Sequence, residues 1–414
     1  MTRFKSYLEI IITVALTASL GDAASFAAQE KAANKTQSEK TVPNVAVDSS
    51  DDVPRFEYDP TWPKQLPNQW GMGNVAGLAV DAKDHIWIIQ RPLTLTLGMD
   101  YAATQPPSAE CCRPAPSIIE FDLAGQVVQG FGGPDPKNPK GKRAAEGYEW
   151  PREHGVFVDY RGNVWTGSDE PGSATVTKLT HDGKFIKQKG KFGQLNGDAD
   201  TENFGQPAGI SVDPKTNEAY IADGYHNNRV IVIDADTLAF KRMWGAYGHA
   251  PVDPPRTENR STYKYNPDAP LSQHFSNPVH CVHLSNDDLV YVCDRVNDRI
   301  QVFKKDGTFV TEVLVAPRTL GYGSVHDIAF SPDHKQRFLY VADGANGKVW
   351  ILRRADLKII GSFGHRGHGG GELTIAHALG ADSKGNLYVA DTIGGDRVQK
   401  FKYMGLTKAG TNPY

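Results

Sequence analysis

The chain has 414 residues, 39% of them hydrophobic and 22% charged, which is typical of a folded globular protein and not of a disordered one. Its formal net charge is −3 and it carries no basic stripe, so nucleic acid is not expected as a partner. The 41 glycines and 26 prolines favour short strands over long helices, and a small molecule or a peptide is the expected ligand.

The N-terminus has the pattern of a targeting segment. Arg3 and Lys5 precede an apolar stretch that Glu9 interrupts, and small residues follow as candidate cleavage sites. This favours a signal peptide over residues 1–28 rather than an uncleaved anchor, because the uninterrupted apolar core is short. A polar, flexible linker is expected over residues 29–55, and nothing later could span a bilayer. We therefore expect an exported chain, periplasmic or secreted, and a monomer.

The four cysteines would then lie in an oxidising compartment. Cys111 and Cys112 are adjacent in a proline-rich loop. Cys281 and Cys293 fall on two strands predicted to be neighbours, so a cross-strand disulfide is one interpretation and two buried thiols are the other.

An internal repeat runs through the rest of the chain. Each copy has an apolar strand, a turn with Asp, Asn or Gly, and a second apolar strand that ends in Asp or, in the first copy, in Gln-Arg. The six copies are Val75–Arg91, Glu153–Asp169, Pro207–Gly224, Val279–Arg295, Val325–Gly344 and Ala376–Thr392. A third and a fourth strand follow most copies, the fourth often ending in Phe-Gly or Trp-Gly.

Four strands per copy and six copies predict an all-β fold, a six-bladed β-propeller with four-stranded antiparallel blades over residues 56–406 and a short tail over 407–414. A β-sandwich with chance similarity is the alternative. The signatures of other repeat families are absent, and the repeated phrase resembles the NHL-type repeat. The long inserts after the first and third copies are too polar for a core, and inserts of that length form surface loops or lids.

Histidines recur at one position of the repeat. The first strand of each propeller blade lines the central channel, so a residue at one fixed position of the repeat points to the axis in every blade. Aligned on the Asp that ends the second strand, this position holds His154, His280, His326 and His377, and alanine in the two other copies. His283, three residues after His280, is expected on the opposite face of its strand.

Imidazoles that converge at one level predict a transition-metal site, with Zn²⁺ as the expected ion and His154, His280, His377 and His326 as candidate ligands. Three protein ligands would leave one position for water or substrate, which is the catalytic arrangement. A structural role for these histidines is the alternative.

Three polar side chains are expected near the same mouth of the channel. Arg91, Tyr225 and Arg295 each follow the end of a second strand. A tyrosine can act as a general base and an arginine can hold a carboxylate. The alternatives are an ion pair of Arg295 with Asp294 and a packing role for Tyr225.

With these residues in view, the chain resembles the peptidyl-α-hydroxyglycine α-amidating lyase family. The resemblance covers all six copies and is sharpest in DGYHNNRV, Asp223 to Val230, and CDRVNDRIQVF, Cys293 to Phe303. The phrases around His154 and His280 are similar to the family's zinc-binding segments.

The resemblance implies a zinc-dependent lyase that cleaves the C–N bond of an α-hydroxyglycine-type substrate to an amide and glyoxylate. It implies that His154 and His280 are two of the zinc ligands. His377 is implied as the third because it lies in the last blade, and His326 is the alternative because the sequence around it is more similar to the family's local motif. The resemblance also implies Tyr225 as the catalytic tyrosine, Arg91 as the arginine that holds the substrate carboxylate, and Arg295 as a second arginine.

Two departures from the family's pattern matter. His226 stands where the family has a cysteine, so that disulfide is not expected, and Ala378 stands where an Asp binds a structural calcium. Calcium is therefore not expected unless Asp327 supplies the ligand. A metal-dependent hydrolase such as a lactonase, and a non-enzymatic NHL-type binding propeller, are the alternative functions.

Overall fold

A computed structural model describes residues 52–95, 110–135, 137–138, 142–252 and 265–408. The expected signal peptide and most of the expected linker lie outside the described residues, as do parts of both long inserts. Across the described ranges no helix is both long and apolar enough to cross a membrane.

Strands make up nearly all of the regular structure in these ranges, together with the 3₁₀ turns Pro67–Gln69, Pro92–Thr94 and Ala246–Gly248. The strands up to blade 2 are β1 (Asp52–Tyr58), β2 (Trp70–Gly71), β3 (Asn74–Val80), β4 (Ile86–Arg91), β5 (Arg113–Pro114), β6 (Ile118–Phe121), β7 (Val127–Phe131), β8 (Glu153–Val158), β9 (Val164–Ser168), β10 (Val176–Leu179) and β11 (Phe185–Lys189). Those of blades 3 and 4 are β12 (Pro207–Asp213), β13 (Glu218–Asp223), β14 (Arg229–Asp234), β15 (Phe240–Trp244), β16 (Val279–Leu284), β17 (Leu289–Asp294), β18 (Arg299–Lys304) and β19 (Phe309–Leu314). Those of blades 5 and 6 are β20 (Asp327–Phe330), β21 (Phe338–Asp343), β22 (Lys348–Arg353), β23 (Lys358–Phe363), β24 (Ala376–Ala381), β25 (Leu387–Asp391) and β26 (Arg397–Lys408).

These strands form six four-stranded antiparallel sheets, which confirms the predicted six-bladed all-β propeller. From the innermost strand outwards the blades are β3-β4-β6-β7, β8-β9-β10-β11, β12-β13-β14-β15, β16-β17-β18-β19, β20-β21-β22-β23 and β24-β25-β26-β1. Strands β2 and β5 add a short parallel pair. Each second strand buries an aromatic ring against the next sheet, as Trp87, Trp165 and Tyr388 show.

The last blade takes its outermost strand from the start of the described chain. Strand β1 pairs with β26, with Phe56 opposite Tyr403, so the ring closes by main-chain hydrogen bonds between the two ends of the repeat region. β1 begins at Asp52 and therefore overlaps the end of the stretch interpreted as linker, and β26 continues to Lys408.

A β-bulge disrupts the innermost strand in five of the blades, at the channel-facing position in four of them and at the next residue in blade 2. The register with the second strand shifts at Ala76, Gly155, Ala208, His280 and His377. A bulge adds one residue and re-aims the neighbouring side chain, which is how these strands present successive residues to the channel.

Both cysteine pairs form disulfides, Cys281 with Cys293 and Cys111 with Cys112. Cys281 and Cys293 are directly opposite each other on β16 and β17. The cross-strand bridge is thus the interpretation that the structure supports.

Candidate metal centre in the propeller channel

Three of the four aligned histidines meet at one point of the channel. A ligand nitrogen from each of His154, His280 and His377 lies within 4.8 Å of the others, and all three side chains are buried. Their ring centroids are 5.0 Å apart for His154 and His280, 5.0 Å for His154 and His377, and 4.7 Å for His280 and His377. They come from blades 2, 4 and 6, so alternate blades each supply one imidazole.

Neighbouring main-chain carbonyls fix the protons of two of these rings. Nδ1 of His154 lies 2.9 Å from the carbonyl oxygen of Ala208, and Nδ1 of His280 is bonded to the carbonyl oxygen of His326. A carbonyl oxygen only accepts, so each Nδ1 carries the proton and each Nε2 presents a lone pair. Metal-ligating histidines normally donate the N–H of the ring nitrogen that does not bind the metal to such an oxygen.

His326 is different. Its Nδ1 accepts a hydrogen bond from the backbone N–H of Gly344 over 3.2 Å, so the neutral ring carries its proton on Nε2. Its ring centroid lies 5.7 Å from that of His280 and 5.8 Å from that of His377. The structure therefore brings His326 beside the group of three, with a proton on Nε2 where His154 and His280 have a lone pair.

The phenol of Tyr225 faces the same point. Its oxygen lies 3.0 Å from Nε2 of His154 and 3.0 Å from Nε2 of His280, and Nη1 of Arg295 donates to it over 3.1 Å. Arg295 also stacks on the ring of Tyr225 and on that of the exposed Tyr322. The ion pair between Arg295 and Asp294, one of the interpretations of the sequence, does not form among the described residues. Instead, Nε of Arg299 pairs with Oδ2 of Asp294 at 2.7 Å.

Arg91 lies at the same mouth but is already paired. Its Nε donates to the carbonyl oxygen of Glu153 over 2.9 Å and its Nη2 lies 3.0 Å from Oδ2 of Asp169. Arg152 also donates to Asp169, over 2.7 Å. Asp169 and Arg152 are residues of the mouth that sequence reasoning did not select.

A signal for Asp169 was present in the repeat. In blades 3, 4 and 6 the Asp that ends the second strand pairs with an arginine of its own blade, as in Asp223 with Arg229, Asp294 with Arg299 and Asp391 with Arg397. The third strand of blade 2 has no arginine at the corresponding position. Asp169 pairs instead with Arg91 and Arg152 at the mouth of the channel.

Burial keeps several of these imidazoles neutral. Desolvation lowers the pKa of His280, His326 and His377 well below the usual range, and the positive charge of Arg295 lowers all three further. Neutral imidazole is the form that binds a metal ion.

A cavity of about 410 Å³ extends from the three histidines along the innermost strands, as far as Asn286, Ser331 and Gln336. His283 lines this cavity, so the prediction that it faces away from His280 was wrong: the bulge at His280 shifts the alternation of the strand. His283 bonds Oδ1 of Asp327 over 2.7 Å, and the other oxygen of Asp327 accepts the N–H of Leu379. Both carboxylate oxygens of Asp327, which would be the calcium ligands, therefore already contact protein donors.

Comparisons with known proteins agree with this fold. The NHL repeat family model matches residues 204–233, which contain the third copy of the repeat. The peptidylglycine alpha-amidating monooxygenase of Rattus norvegicus is 24% identical over 77% of the chain, and NHL repeat-containing protein 3 of Mus musculus is 27% identical over 84%.

The chain covers 29% of the length of the rat monooxygenase and 84% of the length of the mouse NHL protein. Among solved structures, virginiamycin B lyase from Staphylococcus aureus aligns with a TM-score of 0.45 and 16% identity over 85% of this chain and 88% of that one. The chain is a six-bladed β-propeller that matches the NHL repeat over residues 204–233 and is similar in sequence to the peptidylglycine alpha-amidating monooxygenases.

Proposed function

We propose that this protein is a zinc-dependent carbon–nitrogen lyase that converts an α-hydroxyglycine-type substrate, a small molecule or a peptide, to an amide and glyoxylate. The observation that carries the proposal is the meeting of two imidazole lone pairs and one arginine at the phenol oxygen of Tyr225. The similarity to the amidating monooxygenases supports it.

The donor set suits a metal ion. The phenol of Tyr225 has one proton and can donate it to only one of the two Nε2 atoms at a time, whereas a cation accepts both lone pairs. Nδ1 of the buried His377 has no hydrogen-bond partner among the described residues, which leaves this ring the least constrained of the three. We assign His154, His280 and His377 as ligands, and His326 as a neighbour, because its Nε2 carries a proton.

When bound, zinc would act as a Lewis acid that lowers the pKa of a substrate hydroxyl group. Tyr225 removes that hydroxyl proton, and Nη1 of Arg295, 3.1 Å from the phenol oxygen, holds that oxygen in place. The O–H electrons form the C=O bond of glyoxylate while the C–N electrons pass to the amide nitrogen. Tyr225 then returns the proton to that nitrogen, so the reaction needs no oxidant or reductant.

The substrate carboxylate is better matched by Arg295 than by Arg91, to which the sequence analysis assigned it. Arg295 is 5% exposed, and its Nε has no hydrogen-bond partner in the described part of the chain. Its guanidinium stacks on the rings of Tyr225 and Tyr322. Arg91 already contacts Asp169 and the carbonyl of Glu153. We assign carboxylate binding to Arg295, and to Arg91 the positioning of β8, which carries His154.

Export to an oxidising compartment is part of the proposal. The two disulfides support it, because such bonds persist in secreted and periplasmic proteins. A monomer remains the expectation.

A binding propeller without catalysis is the second candidate function. The mouse NHL repeat-containing protein 3 matches 84% of this chain and is matched over 84% of its own length. In that case the three histidines and the cavity would bind a ligand without turnover.

The deciding experiment combines metal analysis with turnover. The purified protein is expected to contain about one channel zinc per chain that His154→Ala and His280→Ala each remove, and to release glyoxylate from α-hydroxyhippurate. A folded wild type that binds zinc and yields no glyoxylate would leave the binding propeller as the function. A wild type whose metal content is the same as that of both variants would refute the metal centre.

A further inference from the structure

A second group of metal-ligating side chains lies away from the channel, where blade 1 meets blade 2. His85 is in the turn before β4 and Glu120 is in β6, whereas His181 is in the turn after β10. Nδ1 of His85 lies 2.5 Å from Oε1 of Glu120, and Nε2 of His181 lies 3.6 Å from the same oxygen. Imidazoles from two blades therefore converge on one carboxylate oxygen.

Glu120 is an unusual residue for its place in the repeat. It is opposite the buried aromatic Trp87, and the corresponding residues of the other blades are basic or aliphatic: Lys178, Val232, Val302, Ile351 and Lys400. Its side chain is fully buried, and its ionisable partners among the described residues are the two histidines rather than a lysine or an arginine. A buried carboxylate needs compensation, and the repeat itself supplies none at this position.

The spacing between His181 and Glu120 suits a shared ion, and His85 and Glu120 also belong, with Asp81, to a group whose ligand atoms lie within 4.8 Å of one another. The 3.6 Å between Nε2 of His181 and Oε1 of Glu120 is too long for a hydrogen bond. It is close to the roughly 3.3 Å that separates two ligands of a tetrahedral zinc with bonds of about 2.0–2.1 Å. On metal binding, the proton between His85 and Glu120 would leave and their contact would lengthen towards the same value.

The proton of His181 is not fixed by its neighbours. Nε2 of Gln129 faces Nδ1 of His181, but its two protons are matched by two oxygens, Oε2 of Glu120 at 2.6 Å and the carbonyl of His181 at 2.9 Å. The same amide thus holds the second oxygen of Glu120, which is the kind of outer support that orients a ligating carboxylate.

Asp81 lies close by but serves the turn. Its Oδ1 accepts the N–H groups of Lys83 and His85, and its Oδ2 accepts the indole N–H of Trp87. Asp159 makes the same three kinds of contact in blade 2, where the described residues form no such cluster, so this carboxylate belongs to the repeat.

We propose that His85, Glu120 and His181 form a second binding site for a divalent transition metal such as Zn²⁺, which links the turns of blades 1 and 2. The side chains of His85 and His181 are 29% and 42% exposed, so an ion can enter from solvent and water can complete its coordination. Two imidazoles and one carboxylate are a donor set that zinc accepts. This site is independent of the proposed lyase activity.

The test uses full-length protein in which His154→Ala and His280→Ala have removed the channel site. Zinc titration by calorimetry is expected to show one remaining equivalent per chain and a rise in Tm on zinc addition. Both should disappear when His181→Ala or Glu120→Gln is added, and both should persist with His368→Ala, an exposed histidine outside the cluster.

Should the channel variant fail to fold, the comparison is made in the wild type. There, His181→Ala and Glu120→Gln should each lower the zinc content by one equivalent while glyoxylate release is unchanged. A folded protein that binds no second equivalent, or one that retains it after both substitutions, would overturn the second site.

Discussion

The guanidinium of Arg295 donates to the phenol oxygen of Tyr225 over 3.1 Å and stacks on its ring with a centroid distance of 5.6 Å. The guanidinium therefore fixes the position of the phenol oxygen, as a tyrosine that acts as a general base requires. Because Nε of Arg295 is buried without a partner among the described residues, the same side chain has a donor left for a ligand.

Arg295→Gln is expected to lower kcat/KM for α-hydroxyhippurate by about 100- to 1,000-fold, because one charge-stabilising donor is lost. The loss should be smaller for N-(hydroxymethyl)benzamide, which has no carboxylate and releases formaldehyde. Steady-state kinetics of both substrates check this, with Arg318→Gln, an exposed arginine paired with Asp268, as the control. Equal losses on the two substrates would argue that Arg295 acts on Tyr225 alone.

Tyr225→Phe is expected to keep the fold and about one equivalent of channel zinc, since the ligands are the three imidazoles. The kcat for glyoxylate release should fall by about 100- to 10,000-fold, because the proton acceptor is removed. Zinc content and kcat are measured on the same preparation, with Tyr160→Phe, which is exposed and hydrogen-bonded to Asn217, as control. A kcat that stays within a factor of two of the wild type would exclude Tyr225 as the base.

The repeat in the sequence was enough to predict the blades and the channel position, because the turn that precedes each second strand and the Asp that ends most of them recur at fixed spacing. It could not choose between His326 and His377. Our proposal for that choice depends on where each ring carries its proton, which the N–H of Gly344, in the turn after β21, fixes for His326. The pairing of Arg91 with Asp169 also joins two blades, so no local pattern contains it.

The β-bulges in the innermost strands could not be predicted from the sequence either. Alternation along a strand predicts that His283 and His280 face opposite sides, and one extra residue reverses that expectation. A bulge depends on the main-chain pairing of two strands, and a single sequence gives no direct signal for it.

The pH dependence of stability should report the buried imidazoles in the metal-free protein. The pKa of His280, His326 and His377 is lowered on folding, so the unfolded chain binds more protons below its histidine pKa of about 6.5. The contribution of these three histidines to the free energy of unfolding should therefore be constant above that pH and fall as the pH is lowered from about 6.5 to 5. Each histidine contributes a slope of up to about 1.4 kcal/mol per pH unit.

Urea unfolding at pH 7.5, 6.0 and 5.0 measures this slope. His326→Asn should reduce it, and the exposed His368→Asn should leave it unchanged. A slope that His326→Asn leaves unchanged would mean that the pKa of His326 is not lowered on folding.

Gly155 should be the glycine on which the position of His154 depends most directly. It forms the bulge of β8 at a φ of +64°, and a Cβ there would lie 2.1 Å from the carbonyl oxygen of Ala208. That carbonyl also accepts the Nδ1–H of His154, so Gly155→Ala pushes against the atom that orients the ligand. We expect the variant to lose several kcal/mol of stability, with a lower zinc affinity in any folded fraction.

Gly147→Ala is the matched control. Gly147 has a φ of +88°, but none of the described atoms lies within 4 Å of the position that a Cβ would take, so its substitution isolates the backbone strain of about 1 kcal/mol. Urea unfolding and zinc titration of the two variants separate strain from collision. If Gly155→Ala is no less stable than Gly147→Ala and binds zinc as tightly as the wild type, the close approach of β8 and β12 does not position His154.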